Sequence, residues 1–230
     1  MKILYERTEK LIGMEKLITL KNSSVIVFGL GGVGGYVVEA LARTGIGVLG
    51  IVDYDIVDAT NINRQIIALK STVGKYKTDA FKDRIADINE EINVIAFKDK
   101  LTDANAEIYS LGSYDYIVDA VDDVAAKIVL IEKAKALDIP VISSMGTGNK
   151  LDPSRFRISD ISKTHTCPLA KKVRKEVALR GLSGVKVLFS DETPGKFDET
   201  GGSPASIAFV PAAAGCLIAG EVVRDLLGGI

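Results

Sequence analysis

The chain contains only two cysteines, Cys167 and Cys216, among its 230 residues. Two cysteines are too few for a disulfide framework, and because they form no CxxC pair the sequence offers no structural zinc site. Neither charge sign is in excess, since 29 Lys and Arg residues stand against 30 Asp and Glu residues. A nucleic-acid partner would therefore have to bind a local basic patch.

Long hydrophobic runs are also absent. Charges interrupt the apolar residues of the first stretch, MKILYERTEKLIG, so it lacks the pattern of a signal peptide. The most apolar stretch, 208–227, has thirteen uncharged residues before its first charge, Glu221. That is fewer than the roughly twenty apolar residues needed to cross a bilayer. We therefore expect a buried core helix there, no membrane span and a cytoplasmic protein.

The residues that are present predict one globular α/β domain. Hydrophobic residues make up 47% and charged residues 26% of the chain, which is typical of a folded protein. The length exceeds one typical domain but is short for two. We divide the chain into an N-terminal helical segment (1–20), a nucleotide-binding core (21–150), and a substrate-side extension with a final core helix (151–230).

The stretch from Val25 to Asp55 carries the strongest signal. Its first residues, VIVF, predict a strand buried on both faces, as in parallel sheets. Glycines then allow a tight turn that brings main-chain amides close to a phosphate, and the start of the next helix faces the same anion. These loop glycines are Gly29, Gly31, Gly32 and Gly34.

A second strand delivers Asp53 nineteen residues after Gly34, where a carboxylate can accept both ribose hydroxyls. Strand, helix and acid together predict a nucleotide-binding βαβ unit. The alternative is a tight turn that serves packing alone. The expected fold is a Rossmann-like, doubly wound, mainly parallel sheet with a C-terminal extension of strands and helices.

Polar residues after the second strand suggest a phosphate site. Asn61, Arg64 and Gln65 are spaced to share one face of a helical turn. A guanidinium beside a ribose-binding acid suits phosphate oxygens. Lys77 begins the next predicted helix, where the helix dipole disfavours a cation, so a nearby anion would explain it. Otherwise Lys77 is a solvated surface lysine.

Two acids follow the fourth predicted strand, 116–121. The carboxyl edge of a parallel sheet is where ligands bind, and Asp122 there could hold magnesium against a polyphosphate. We prefer Asp123 as the N-cap of the next helix. Gly146 and Gly148, after the fifth strand, predict a second loop over the same edge.

A basic helix is predicted after Pro168. Its charges form either a solvated face or a surface for a nucleic-acid backbone. The candidate RNA-binding residues are Lys163, Lys171, Lys172, Arg174 and Lys175.

The sequence leaves the roles of two single residues undecided. Cys167 lies just before the basic helix, whose positive N-terminus would favour a reactive thiolate, or it is a small packing residue. Arg7, in the first predicted helix, is either a solvated charge or a functional one.

With these residues placed, the chain resembles the ubiquitin-activating-enzyme-like (ThiF and MoeB type) family of adenylating enzymes. The resemblance covers most of the chain and rests on GLGGVG, DYD, NINRQ, VGKYK and VDD. It implies that the glycine loop and Asp53 bind adenosine and ribose and that Asp122 works with magnesium. It further implies that Asn61, Arg64 and Lys77 contact the phosphates, so ATP and Mg²⁺ are the expected cofactors.

The chain departs from the sulfur-carrier activators of that family, which usually carry two CxxC pairs for zinc. Its segments SSMGTGNKLDPSRF and KTHTCPLAKKVRKE instead resemble the tRNA-acting branch, the threonylcarbamoyladenosine dehydratases. That likeness implies a tRNA partner for the basic helix. It also implies a homodimer in which Arg7 reaches the partner subunit's triphosphate.

Other functions stay open from the sequence. One alternative is adenylation of the C-terminus of a ubiquitin-like sulfur carrier, with a carrier or sulfur-delivery protein as partner and Cys167 as acceptor. Others are an NAD-dependent dehydrogenase, which the βαβ unit alone permits, and a nucleotide-sensing module without catalysis.

Overall fold

The computed structural model of the chain describes residues 4–195 and 204–229. A seven-stranded sheet runs through it in the order β3-β2-β1-β4-β5-β7-β6. All neighbouring pairs are parallel except β6 with β7. The predicted doubly wound, mainly parallel sheet is therefore confirmed. The strands are β1 (Ser24–Phe28), β2 (Val48–Val52), β3 (Asn93–Phe97), β4 (Tyr116–Asp119), β5 (Val141–Ser144), β6 (Phe156–Asp160) and β7 (Lys186–Ser190).

Helices cover both faces of the sheet, and glycines end several of them where the sequence predicts. Gly13 separates the first two helices, and Gly45 ends the third in the left-handed conformation with φ 102°. The helices are α1 (Glu6–Ile12), α2 (Met14–Asn22), α3 (Gly34–Thr44), α4 (Lys77–Ile88), α5 (Val124–Ala136), α6 (Pro168–Leu179) and α7 (Phe209–Leu226).

Two elements differ from the sequence prediction. The sequence also predicts a short helix from Asn105 to Leu111, and the structure has a 3₁₀ helix there, Asp103–Tyr109, followed by a second short one. The fourth strand stops at Asp119 and not at Val121. The reason is local, because the Asp119 carboxylate accepts a hydrogen bond from the Val121 amide at 3.1 Å and turns the chain.

The last helix, α7, is buried along one face only. A Cβ at Gly215 would lie 2.5 Å from the Val33 carbonyl oxygen, so α7 and α3 approach closely there. The predicted core helix is thus buried through one face, and Cys216 and Leu217 are exposed on it. No helix within 4–195 and 204–229 has the length and apolar character needed to cross a membrane.

The order in which the chain adds strands to the sheet reverses between β1 and β4. From this point β2 and β3 extend to one side, and β5, β7 and β6 to the other. In open α/β sheets the connections leave a crevice at such a switch, at the carboxyl ends of the strands. The glycine loop follows β1 and therefore lies at this crevice.

Candidate functional site

The glycine loop packs against the residues that follow β4. A Cβ at Gly29 would lie 2.7 Å from the Ala120 carbonyl oxygen, and one at Gly34 only 1.8 Å from the Gly29 carbonyl oxygen. At Gly31 the nearest atom to such a Cβ is Gln65 Nε2, at 3.9 Å. Gly29 and Gly34 thus shape the turn, while Gly31 leaves space beside its backbone for a phosphate.

Asp53 fixes this loop from the end of β2. One carboxylate oxygen accepts from the Leu30 amide at 2.7 Å and the other from the Asp55 amide at 2.8 Å. The side chain is buried. Asp53 therefore lies beside the glycine loop as the sequence predicts, and its contact with ribose stays a prediction.

Lys77 is buried at the start of α4, so its interpretation as a solvated surface lysine is wrong. Its ammonium lies 2.7 Å from a carboxylate oxygen of Asp55 and 3.6 Å from one of Asp53. Their negative charges offset the unfavourable position of this cation at the positive end of the helix dipole. The ammonium is consequently held at the edge of the glycine loop.

Arg64 and Gln65 also lie beside the glycine loop. A Cβ at Gly32 would be 3.6 Å from Arg64 Cγ. The guanidinium donates to two neutral oxygens, the Thr60 carbonyl at 3.1 Å and Asn63 Oδ1 at 2.9 Å. Among residues 4–195 and 204–229 it has no carboxylate within salt-bridge distance, so its charge is available to an anion. The buried Gln65 Oε1 has no hydrogen-bond partner in the same residues.

Asn61 has a local role in the same turn. Its Oδ1 accepts from the Asp58 amide at 3.1 Å, which closes a capping box. The Gln65 amide donates to the Asn61 carbonyl oxygen at 2.9 Å, so the two residues share one helical turn as predicted.

The two acids after β4 have separate environments. Asp123 caps α5, accepting from the Ala126 amide at 2.8 Å, as the sequence predicts. Asp122 is exposed. No group of three metal-ligating side chains occurs in the described part of the chain. A lone carboxylate fits magnesium that arrives with a polyphosphate, because Mg²⁺ keeps several waters and needs few protein ligands.

The basic helix α6 exposes most of its charges. Lys163, Lys171, Lys172 and Lys175 are exposed. Arg174 differs, since its Nη1 donates to the Thr164 carbonyl at 2.5 Å and to Thr164 Oγ1 at 2.8 Å, and its side chain is half-buried. Arg174 therefore holds the turn before α6 and is less free for a phosphate than predicted.

Cys167 is buried. A Cβ at Gly146 would lie 3.5 Å from its Sγ, so the thiol packs under the second glycine loop. His165 nearby is exposed and stacks edge-on against Phe189, with ring centroids 5.3 Å apart. The contacts favour the packing interpretation of Cys167.

The sequence also has a turn-rich stretch at 191–205. Residues 196–203 of it lie outside the described residues.

Arg7 is far from these residues within its own chain. Tyr5, just before α1, donates from its hydroxyl to the Ala42 carbonyl at 3.1 Å, near the last turn of α3. The glycine loop lies at the first turn of that helix. Eleven residues of helix span roughly 16 Å. The structure therefore does not bring Arg7 to the glycine loop of its own chain.

Comparison with known proteins places these features in a family context. A family model described as ThiF family matches residues 5–229. The chain is 48% identical to a tRNA threonylcarbamoyladenosine dehydratase of Bacillus subtilis, covering 98% of this chain and 95% of that protein. With the dehydratase of Escherichia coli the identity is 37%, over 80% of this chain and 72% of that protein.

Comparison with solved structures also finds similarity to a dehydratase. The fold matches Escherichia coli TcdA, described as a tRNA N6-threonylcarbamoyladenosine dehydratase in complex with ATP, with a TM-score of 0.92 and 33% identity. The match covers 98% of this chain and 94% of that one. An adenylyltransferase and sulfurtransferase of Culex quinquefasciatus is 39% identical over only 57% of this chain and 30% of that protein.

The two acids Asp53 and Asp122 give a prediction about stability. Replacement of Asp53 by Ala should lower the free energy of unfolding by about 3 kcal/mol, because two amides lose a charged acceptor and a buried lysine loses a neighbour. The exposed Asp122→Ala variant serves as control and should change it by less than about 0.5 kcal/mol. Urea unfolding measures both. Equal stability of the two variants would contradict the structural role of Asp53.

Proposed function

The chain belongs to the ThiF family, and we propose that it is an ATP-dependent tRNA threonylcarbamoyladenosine dehydratase. The observation that carries the proposal is the similarity to named dehydratases along almost the whole of both proteins. Adenylyltransferases that also carry a sulfurtransferase match a smaller part of the chain. The glycine loop with its adjoining cations is the site proposed to bind ATP.

The proposed reaction has two steps that together remove one water. A carboxylate oxygen of the threonylcarbamoyl group forms a bond to the α-phosphorus of ATP, and pyrophosphate leaves. A nitrogen or oxygen of the same nucleoside then attacks the activated carbonyl carbon and loses its proton, and AMP leaves with the former carboxylate oxygen. Because both reacting ends belong to one nucleoside, the ring closure has the advantage of proximity.

The first step brings one anion to another, so positive charge has to be in place where negative charge develops. Arg64 supplies a guanidinium that is free of carboxylate partners in the described residues. Lys77 supplies an ammonium that lies beside Asp53 and Asp55 at the edge of the loop. No general base is needed for the nucleophile, since a carboxylate is ionised at neutral pH.

Magnesium bound with ATP would neutralise part of the phosphate charge, and Asp122 is the residue proposed to hold it. Asn61 and Gln65 complete the proposed nucleotide contacts from the turn that carries Arg64. Asp53 is proposed to bind ribose while it holds the glycine loop. Modification of tRNA also fits the cytoplasmic location that the sequence favours.

The alternative functions find less support. Adenylation of a ubiquitin-like carrier with transfer to Cys167 requires an accessible thiol, whereas Cys167 is buried under Gly146. An NAD-dependent dehydrogenase would not explain why the cations of Arg64 and Lys77 lie at the glycine loop.

The first test measures the nucleoside itself. Protein incubated with ATP and tRNA that carries threonylcarbamoyladenosine should lower the mass of that nucleoside by one water. Arg64→Ala should reduce the rate at least a hundredfold, about 3 kcal/mol of transition-state stabilisation, while the protein stays folded. The control is Arg224→Ala, an exposed arginine at the far end of α7. An unchanged nucleoside mass with the unmodified protein would discard the proposed function.

The tRNA surface is proposed to be the exposed lysines of α6 and the preceding turn. Each lysine that neutralises a phosphate releases counterions and steepens the salt dependence of binding. Arg174 is left out of this surface because Thr164 already occupies its guanidinium.

Replacement of Lys172 and Lys175 together by Ala should therefore weaken tRNA binding and reduce the slope of log Kd against log salt by about 2. Filter binding over a salt series measures the slope. The pair Lys82→Ala and Lys100→Ala removes the same charge from two exposed positions, one on α4 and one just after β3, and should leave the slope unchanged. If both pairs behaved alike, the location of the surface on α6 would be wrong.

A homodimer is proposed to complete the site with Arg7 of the second copy. Among the exposed apolar side chains of the described residues, two sets bear on this proposal. One belongs to the N-terminal helices and contains Leu4, Leu11, Met14 and Ile18, with Leu11 84% exposed. The other belongs to the segment that carries Arg64 and contains Tyr54, Ile56, Ile62, Leu69, Val73 and Tyr76. We propose that the first set of one subunit packs on the second set of its partner, which would bring Arg7 to the partner's phosphates.

This arrangement predicts complementation between two inactive variants. Arg7→Ala and Arg64→Ala dimers should each be inactive, but after subunit exchange half of the dimers are mixed and each has one intact site. Dehydration activity should therefore return to about a quarter of the unmodified level in a two-fold symmetric dimer. No recovery, with exchange verified by mass, would show that Arg7 acts within its own chain or not at all.

A further inference from the structure

A lysine is fully buried beneath the loop that carries Asp122. Lys127 lies in the second turn of α5 and has no exposed surface. Its ammonium donates to three oxygens: Asp119 Oδ2 at 3.0 Å, the Ser144 carbonyl at 2.7 Å and Ser143 Oγ at 3.3 Å. A buried ammonium is stable only when charged and polar partners surround it in this way.

Asp119 connects this ammonium to the chain turn after β4. Asp119 is also fully buried, and its Oδ2 accepts from Ser143 Oγ at 2.5 Å as well as from Lys127. Its other oxygen, Oδ1, accepts from the Val121 amide at 3.1 Å. The three side chains, Asp119, Lys127 and Ser143, form one cluster that ties the carboxyl end of β4 to that of β5.

The turn held by this cluster touches the glycine loop. The Ala120 amide donates to the Phe28 carbonyl at 2.8 Å, and the Ala120 carbonyl occupies the space where a Cβ of Gly29 would lie. The backbone therefore has little freedom from Asp119 to Val121. Asp122 is the next residue, so its position relative to the glycine loop follows from the same contacts.

We infer that Asp119 and Lys127 are positioning residues that hold Asp122 and the end of β5 in register with the glycine loop for the adenylation step. The inference rests on the proposed function, because that function gives Asp122 its role. Neither residue is exposed to a substrate, so both act through the backbone that they fix. A carboxylate accepts from an amide along a defined direction, which a well-packed apolar pair could not do.

Asp119 and Lys127 carry opposite charges, so both charges can be removed together without leaving a net charge in the interior. Replacing only Lys127 would leave a buried carboxylate unpaired and would destabilise the protein. Asp119→Leu combined with Lys127→Met keeps similar side-chain sizes, leaves no unpaired charge and removes the oxygen that accepts from the Val121 amide. This double variant should fold, with its melting temperature reported by circular dichroism.

The double variant should separate binding from turnover. ATP affinity, measured by calorimetry, should stay within about threefold of the unmodified protein, because the glycine loop and Arg64 are intact. The kcat for nucleoside dehydration should fall by roughly a hundredfold, the effect expected when a reacting group is misplaced by about 1 Å. A distant ion-pair variant, Glu39→Gln with Arg84→Met, is the control and should retain kcat per folded molecule.

Each outcome decides the question. A double variant with normal kcat would show that the cluster serves stability alone. An equal loss of ATP affinity and of kcat would show that the cluster supports the whole nucleotide site. Either result overturns the inference. If the double variant does not fold, Ser143→Ala is judged by the same criterion. The unmodified protein is run in parallel, so failure of the proposed function appears as no dehydration by that protein, and the inference then falls with it.

Discussion

The contact between the Asp53 carboxylate and the Leu30 amide is the interaction on which the site depends. It joins the end of β2 to the glycine loop at 2.7 Å, beside the bond that the Gly29 amide donates to the Val52 carbonyl at 2.8 Å. The same carboxylate places negative charge beside a loop proposed to receive phosphates. That charge is tolerable because Lys77 lies 3.6 Å away, and Lys77 in turn is held by Asp55. The two acids exceed the lysine by one charge, whereas the guanidinium of Arg64 pairs only with neutral oxygens in the described residues and keeps its charge for a phosphate.

Much of the β1-α3-β2 unit could be predicted because its signals are local. A glycine is needed where a Cβ at position 34 would strike the Gly29 carbonyl, and that requirement appears directly in the spacing of the loop. The position of Asp53 follows from the length of one helix and one strand. Its hydrogen-bond partner Leu30 is 23 residues away, however, and such a pairing needs the completed sheet. The sequence therefore predicted where Asp53 lies but not that it fixes the loop.

Charged residues were harder to interpret, since a sequence shows a charge without its environment. From the sequence Lys127 looks like a surface lysine, and Lys77 could be one. Both are buried against acids, Lys77 against Asp55 just after β2 and Lys127 against Asp119 at the end of β4. Arg174 belongs by composition to a row of surface cations, but it turns back to Thr164, ten residues earlier. Helical periodicity gives the face on which a side chain begins. A long side chain can still end several ångströms away, wherever the folded chain offers an acceptor.

The position of α1 bears on how the site could be regulated by assembly. Tyr5 binds the last turn of α3 and the Asn89 side chain, so α1 sits at the end of α3 opposite the phosphates. In the dimer proposed above, a cation on that helix would serve ATP across the subunit boundary. The apolar side chains exposed on α1 and α2 make such a boundary favourable, since burying them removes apolar surface from water. A site that is complete only in the dimer would keep an isolated subunit from activating carboxylates, because the charge needed at the triphosphate arrives with the second copy.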